Sequence, residues 1–137
     1  MQHLEKLYIV GHGDYMKMDL HFDVFAPVLQ KVRLMGRLKK FPNWVAKLQN
    51  LVTLSLSFTQ LTHDPLPLLK DVPILTHLYL YHLKSIVIED GALPSLEKLE
   101  LDNIEELTEV PRGSGINLSV TDFYLNWYFG NNSVESS

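Results

Sequence analysis

Residues 76–82 read THLYLYH and place two histidines and two tyrosines within seven positions. Such a density of imidazole and phenol groups suits a metal site, a proton relay or a protein-binding surface. In a β-strand, successive side chains point to opposite faces, so His77 and His82 would lie on opposite sides. This alternation argues against one shared metal site. It leaves His77, Tyr79 and Tyr81 together on one face.

Other histidines stand close to carboxylates, and these pairs are His12 with Asp14, His21 with Asp23, and His63 with Asp64. The chain has no cysteine, and it contains no GxSxG, HExxH or GxxxxGK[ST] motif. Surface polar residues flanking a buried Phe22 explain His21 and Asp23 more simply than a weak metal contact does. We therefore expect no enzyme activity, no catalytic residues, no metal site and no cofactor.

The composition limits the partners and the compartment. The chain has 137 residues, is 46% hydrophobic and carries a net charge of −4, which fits one compact domain without general attraction to nucleic acid or anionic membranes. Its beginning, MQHLEKLYIV, is not a signal sequence, and no apolar run approaches the roughly 20 residues of a membrane span. We expect a cytoplasmic protein with protein partners.

Five segments repeat the pattern apolar-x-x-apolar-x-apolar: LEKLYI, LQKVRL, LVTLSL, LTHLYL and LEKLEL. Their starts at residues 4, 29, 51, 75 and 96 lie 25, 22, 24 and 21 residues apart. The third copy continues to Leu61 in the leucine-rich repeat pattern, with Thr59 where asparagine or cysteine is usual. The repeats predict an α/β leucine-rich repeat solenoid of about five repeats. A curved parallel sheet would form its concave face, with turns and short helices on the convex face.

The repeat frame assigns each strand residue to a face. The apolar residues at the fourth and sixth positions of each copy, mostly leucines, point inward, and the residues between them face solvent. The predicted concave positions are Lys6, Tyr8, Val10, Lys31, Arg33, Met35, Thr53, Ser55, Ser57, His77, Tyr79, Tyr81, Lys98, Glu100 and Asp102. On the convex side, Pro42 and Asn43 suit the start of a short helical turn, whereas Pro65 and Pro67 disfavour a long helix.

The frame divides the chain into a repeat domain over residues 1–112 and an irregular tail over residues 113–137. A sixth copy starting at Leu118 would use Thr121 and Phe123 at its inward positions, and Thr121 fits poorly. The aromatic run FYLNWYF then suggests a cap that hides leucines at the end of the solenoid. A disordered end or an exposed patch for self-association is the alternative.

Two long runs carry a resemblance to a known family: GRLKKFPNWVAKLQNLVTLSLSFTQLTHDPLPLLKDVPILTHLYLYH at 36–82 and SIVIEDGALPSLEKLELDNIEELTEVPRG at 85–113. They resemble the leucine-rich repeat region of plant intracellular immune receptors of the coiled-coil, nucleotide-binding, leucine-rich-repeat type, especially those of grasses. The resemblance implies a role in defence, in which the repeats sense pathogen molecules and hold a nucleotide-binding module inactive.

The chain also departs from that family. It lacks the phosphate loop, so ATP binding does not carry over, and it lacks a repeat that family members usually have between THLYLYH and LKSIVIEDG. We expect a truncated relative, a receptor fragment or an incomplete gene model.

Charge changes sign along the predicted concave face. Residues 31–40 carry five basic side chains and no acid, whereas residues 97–109 carry six acids and one lysine. The predicted partner-binding residues are basic, aromatic and acidic in turn: Lys31, Arg33, His77, Tyr79, Tyr81, Glu100 and Asp102. Their partner would be a pathogen effector, a host protein or the nucleotide-binding module of the parent receptor. A non-signalling remnant and a stand-alone adaptor are the alternatives, and the tyrosines also suit any half-exposed strand.

Overall fold

The computed structural model describes residues 5–11, 28–61, 65–83, 93–105 and 116–121. Within this part of the chain, six parallel strands form one sheet in sequence order. Each strand is five residues long: β1 Lys6–Val10, β2 Lys31–Met35, β3 Thr53–Ser57, β4 His77–Tyr81, β5 Lys98–Asp102 and β6 Asn117–Thr121. The predicted leucine-rich repeat solenoid is confirmed, and its first five strands cover the predicted concave positions.

A leucine ladder forms the core beneath the sheet. Equivalent inward positions pair across neighbouring strands, as in Leu54 with Leu78 and Leu78 with Leu99. The ladder residues from β3 to β5 are fully buried: Leu54, Leu56, Leu78, Leu80, Leu99 and Leu101. Burying a leucine side chain contributes roughly 1.5–3 kcal/mol relative to leaving it exposed, so the repeat pattern itself supplies the main stabilising contacts.

Short helical elements return the chain along the convex side, as the prolines predict. After β2, a 3₁₀ helix spans Asn43–Lys47 and follows Pro42. After β3, helix α1 spans only Leu66–Leu69, directly after Pro65. Both elements anchor the coil through buried apolar residues, namely Phe41, Trp44, Val45, Leu48, Leu66 and Leu69. No helix in the described ranges is long and apolar enough to cross a membrane.

The sixth strand has a different register from the predicted one. Leu118 pairs with Leu99 and Val120 pairs with Leu101, so Leu118 takes the fourth position of its repeat rather than the first. Both Leu118 and Val120 are buried. This register places two apolar side chains inward, whereas the predicted register would have turned the polar Thr121 into the core. Phe123 and the aromatic run lie outside the described residues, and the domain boundary at residues 112 and 113 stays a prediction.

Candidate protein-binding face

The parallel register gathers the predicted site residues into rows that cross the sheet. One row runs Arg33, Ser55, Tyr79 and Glu100, and the next runs Met35, Ser57, Tyr81 and Asp102. Lys31 belongs to a third row, which continues through Thr53 and His77 to Lys98. All seven predicted binding residues therefore lie on one surface, with the basic pair separated from the aromatic residues by the β3 serines.

The outward side chains of β4 form an aromatic row. The ring centroids of His77 and Tyr79 are 6.5 Å apart, and those of Tyr79 and Tyr81 are 6.4 Å apart. The interplanar angles of these two pairs are 27° and 23°, so the three rings stand nearly parallel. All three residues are half-buried. A rigid strand thus holds three rings in one orientation before any partner arrives, which lowers the entropy lost on binding.

Neighbouring polar groups fix these rings further. The Thr76 hydroxyl lies 2.8 Å from Nδ1 of His77 and 3.3 Å from the Val52 carbonyl oxygen. On the other side, Nζ of Lys98 lies 5.7 Å from the Tyr79 ring centroid, within the range of a cation–π contact. The aromatic row is therefore held by β3 and β5 as well as by its own strand.

The Tyr81 phenol has a clearly raised pKa. Partial burial is the largest cause, and together with the nearby Glu100 charge it raises the pKa of the Tyr81 phenol to about 12. The Tyr81 hydroxyl also donates a hydrogen bond to Glu100, which stabilises the neutral phenol. The acidic end of the face therefore holds Tyr81 as a hydrogen-bond donor near neutral pH.

The two serines of β3 are shielded from solvent, although the sequence predicted that they would face it. Ser55 and Ser57 are each only 6% exposed, although their side chains lie on the concave side. In register, Ser55 lies between Arg33 and Tyr79, and these longer neighbours shield it. The β3 serines therefore form the floor of a trough, with the β4 tyrosines along one side.

The basic side of the face contains an aromatic contact that the sequence reading missed. The Arg33 guanidinium carbon lies 5.2 Å from the ring centroid of Tyr8, which is in register on β1. Tyr8 is 50% exposed. The signal in the sequence was the equivalent position of the two residues in adjacent copies, which places a cation beside a ring.

The residues of the concave face are better suited to contact with another protein than to metal binding. Among the described residues, no group of three or more His, Asp or Glu side chains could hold a metal ion. The histidine–carboxylate pairs at residues 12–14, 21–23 and 63–64 lie outside the described ranges. Tyrosine rings and guanidinium groups are enriched in protein interfaces, and the lysines and carboxylates beside them suit the polar rim of such an interface.

Comparison with known proteins gives one informative relative. Disease resistance protein RPM1 of Arabidopsis thaliana is 28% identical to this chain over 123 residues, and the match covers 71% of the chain but 13% of that relative. No family model matches the chain, and no solved structure matches it. The partial similarity and the solenoid fold fit the repeat region of a nucleotide-binding, leucine-rich-repeat receptor.

Proposed function

We propose that this chain is the protein-interaction module of a plant intracellular immune receptor and binds protein partners through its concave face. The similarity to a disease resistance protein supports a role related to plant immunity. The observation that carries the binding role is the aromatic row of His77, Tyr79 and Tyr81, stacked on one strand and flanked by charged residues. Tyrosine gives large contact area with few rotatable bonds, and it is enriched among residues that dominate interfaces.

The charge pattern supports more than one contact on the same face. The β2 residues Lys31 and Arg33 lie three strand spacings, about 14 Å, from the β5 residues Glu100 and Asp102. This separation exceeds the Debye length of about 8 Å at physiological salt, so each end attracts its own partner group. The proposed partners are a pathogen effector, a host protein or a nucleotide-binding module. The module is non-enzymatic and cytoplasmic in this proposal, and a receptor of the grass type remains a prediction.

Parallel affinity capture from plant leaf extract tests the proposal. The baits are the wild-type chain, the double variant Tyr79→Ala with Tyr81→Ala, and Lys70→Ala, which changes an exposed residue just after α1 on the convex side. A protein captured by the wild type and Lys70→Ala baits should be purified and titrated calorimetrically against all three. The double variant should weaken its binding by about 2 kcal/mol or more, since interface tyrosines of this kind are often anchors.

Equal affinity for the three baits, with all of them folded, would exclude the concave face as the binding surface. The non-signalling remnant makes a different prediction for the wild-type chain alone. A remnant that needs neighbouring repeats should aggregate through exposed core residues, whereas an independent module should remain monomeric during size-exclusion chromatography with light scattering.

A further inference from the structure

The residue directly after each of four successive strands adopts a left-handed backbone conformation. These residues are Gly36 with φ 121°, Phe58 with φ 57°, His82 with φ 55° and Asn103 with φ 53°. Their backbone amides connect the row: Gly36 N–H donates to the Ser57 carbonyl at 2.9 Å, and Phe58 N–H donates to the Tyr81 carbonyl at 3.1 Å. The four residues therefore occupy consecutive places along the edge of the sheet where the strands end.

Phe58 is the unusual member of this row. Glycine and asparagine tolerate positive φ, but a bulky residue loses free energy there through contact between its Cβ and the backbone. Burial in the core does not offset this loss, because Phe58 is 49% exposed. Strained backbone at an exposed aromatic residue is a feature that clusters at functional sites.

The Phe58 ring has one covered face and one open side. Its covered face stacks on His82, with the ring centroids 4.1 Å apart and an interplanar angle of 11°. The opposite face is turned away from His82. Gly36, which follows β2, holds the neighbouring place in the row on the other side of Phe58. Because Gly36 has no side chain, this place adds no ring to the stack, and the Phe58 side chain stays half-exposed.

The segment that follows Gly36 is basic. Lys39 and Lys40 follow Gly36 closely in sequence and are exposed. Arg37 lies between them and Gly36, and its Nε donates a 2.7 Å hydrogen bond to Oε1 of Gln60. These charges would repel a guanidinium or ammonium group that approaches the Gly36 end of the row, whereas they would attract a neutral ring with acidic neighbours.

We propose that Gly36, Phe58 and His82 form an edge site that receives an aromatic side chain from an acidic segment of a partner protein. The incoming ring extends the Phe58–His82 stack by one place, and the acidic residues beside it face the basic segment 37–40. Offset-stacked rings attract each other beyond their simple burial. This edge site lies outside the concave rows, so it provides a second surface that does not depend on the proposed function of the aromatic row.

The test uses two synthetic peptides and the full chain labelled with ¹⁵N. One peptide has a single tryptophan between glutamate and aspartate residues, and its control has leucine in place of the tryptophan. The tryptophan peptide should shift the amide resonances of Gly36 and Phe58 in a saturable manner. The leucine peptide should bind roughly fivefold more weakly, since it retains the charges but loses the ring stacking.

Phe58→Asn separates a binding role from a structural one. Asparagine suits positive φ, so this variant should unfold at the same or a higher denaturant concentration while losing the tryptophan-dependent binding. His82→Asn should fold equally well and weaken binding, because it removes the ring behind Phe58. The double variant Tyr79→Ala with Tyr81→Ala should bind the peptide as the wild type does.

Several outcomes would overturn the edge site. Equal affinity for the tryptophan and leucine peptides, or no saturable shift at Gly36 and Phe58, would show that no ring is received there. Undiminished peptide binding by Phe58→Asn would have the same meaning. A lower unfolding midpoint for Phe58→Asn would show that the Phe58 ring serves the fold instead.

Discussion

Strands β3 and β4 have the same length and pair residue by residue, yet their outward side chains produce different surfaces. Leu54 and Leu56 of β3 are as completely buried as Leu78 and Leu80 of β4. On the concave side, the β3 serines are shielded by their neighbours, whereas Tyr79 and Tyr81 remain half-exposed. Inward positions are therefore interchangeable between repeats, and the size of the outward residues decides which strand is available to a partner.

The largest expected effect comes from shortening an inward leucine, and it tests whether the inward positions of β3 and β4 are equally important for stability. Leu54→Ala and Leu78→Ala should each lower the free energy of unfolding by about 2–5 kcal/mol, because each removes buried methyl groups and leaves a cavity. Thr76→Ala is the control, and it should lose only about 1 kcal/mol through its hydrogen bond to Val52. Chemical denaturation measures all three, and equal midpoints for Leu78→Ala and Thr76→Ala would contradict the repeat assignment.

The second effect concerns the turns that follow the two strands. Thr59 lies two residues after β3, and Leu83 occupies the equivalent position after β4. Both residues are buried, but Oγ1 of Thr59 has no hydrogen-bond partner in the described part of the chain. Thr59→Val should raise the free energy of unfolding by roughly 1 kcal/mol, since it removes an unpaired buried hydroxyl without changing the shape much.

A denaturation curve for Thr59→Val checks this prediction, with Thr53→Val as the control at a half-buried position on the concave side. A fall in the midpoint of Thr59→Val would show that the Thr59 hydroxyl has a partner in the folded protein.

The third prediction concerns a variant whose outward residues on β4 are changed to the serines found on β3. The double variant Tyr79→Ser with Tyr81→Ser keeps Leu78 and Leu80, so its free energy of unfolding should fall by only about 1 kcal/mol, the loss expected for stacked outward rings. A fall as large as that of Leu78→Ala would mean that the tyrosines belong to the core. Thermal unfolding followed by circular dichroism is sufficient for this comparison.

The smallest expected effect is a pH dependence that comes from Tyr81 on β4. The pKa of Tyr81 rises from the ordinary value of 10.0 to about 12 in the folded chain. Because the folded state holds this proton more tightly, its contribution to stability is complete below pH 10 and is lost as the pH rises towards 12. Glu100→Gln should lower the pKa of Tyr81 only in part, since burial is the larger cause.

Ultraviolet absorbance of tyrosinate measures this shift, with Tyr81→Phe identifying the Tyr81 component among the six tyrosines of the chain. A Tyr81 pKa near the ordinary value in the wild type would contradict both the partial burial of the phenol and its contact with Glu100.

The leucine spacing alone was sufficient to predict the strands and their inward faces. A five-residue strand with aliphatic residues at alternate positions turns both of them inward in only one register, and five copies repeat that condition along the chain. The same frame placed all seven candidate binding residues on one face. It failed at β6, where Val120 rather than Thr121 takes the inward position, because the return before that strand is shorter.

The repeat spacing and the prolines were thus sufficient to predict the solenoid, its leucine ladder, its short helices and the faces of the first five strands. The folded chain was needed to show the burial of Ser55 and Ser57, the Arg33–Tyr8 contact and the Phe58–His82 stack. The difference lies in the sequence separation of the residues that interact. Side-chain direction follows from alternation along one strand. Exposure and ring contacts depend on the length of side chains more than twenty residues away, which become neighbours only when the repeats stack.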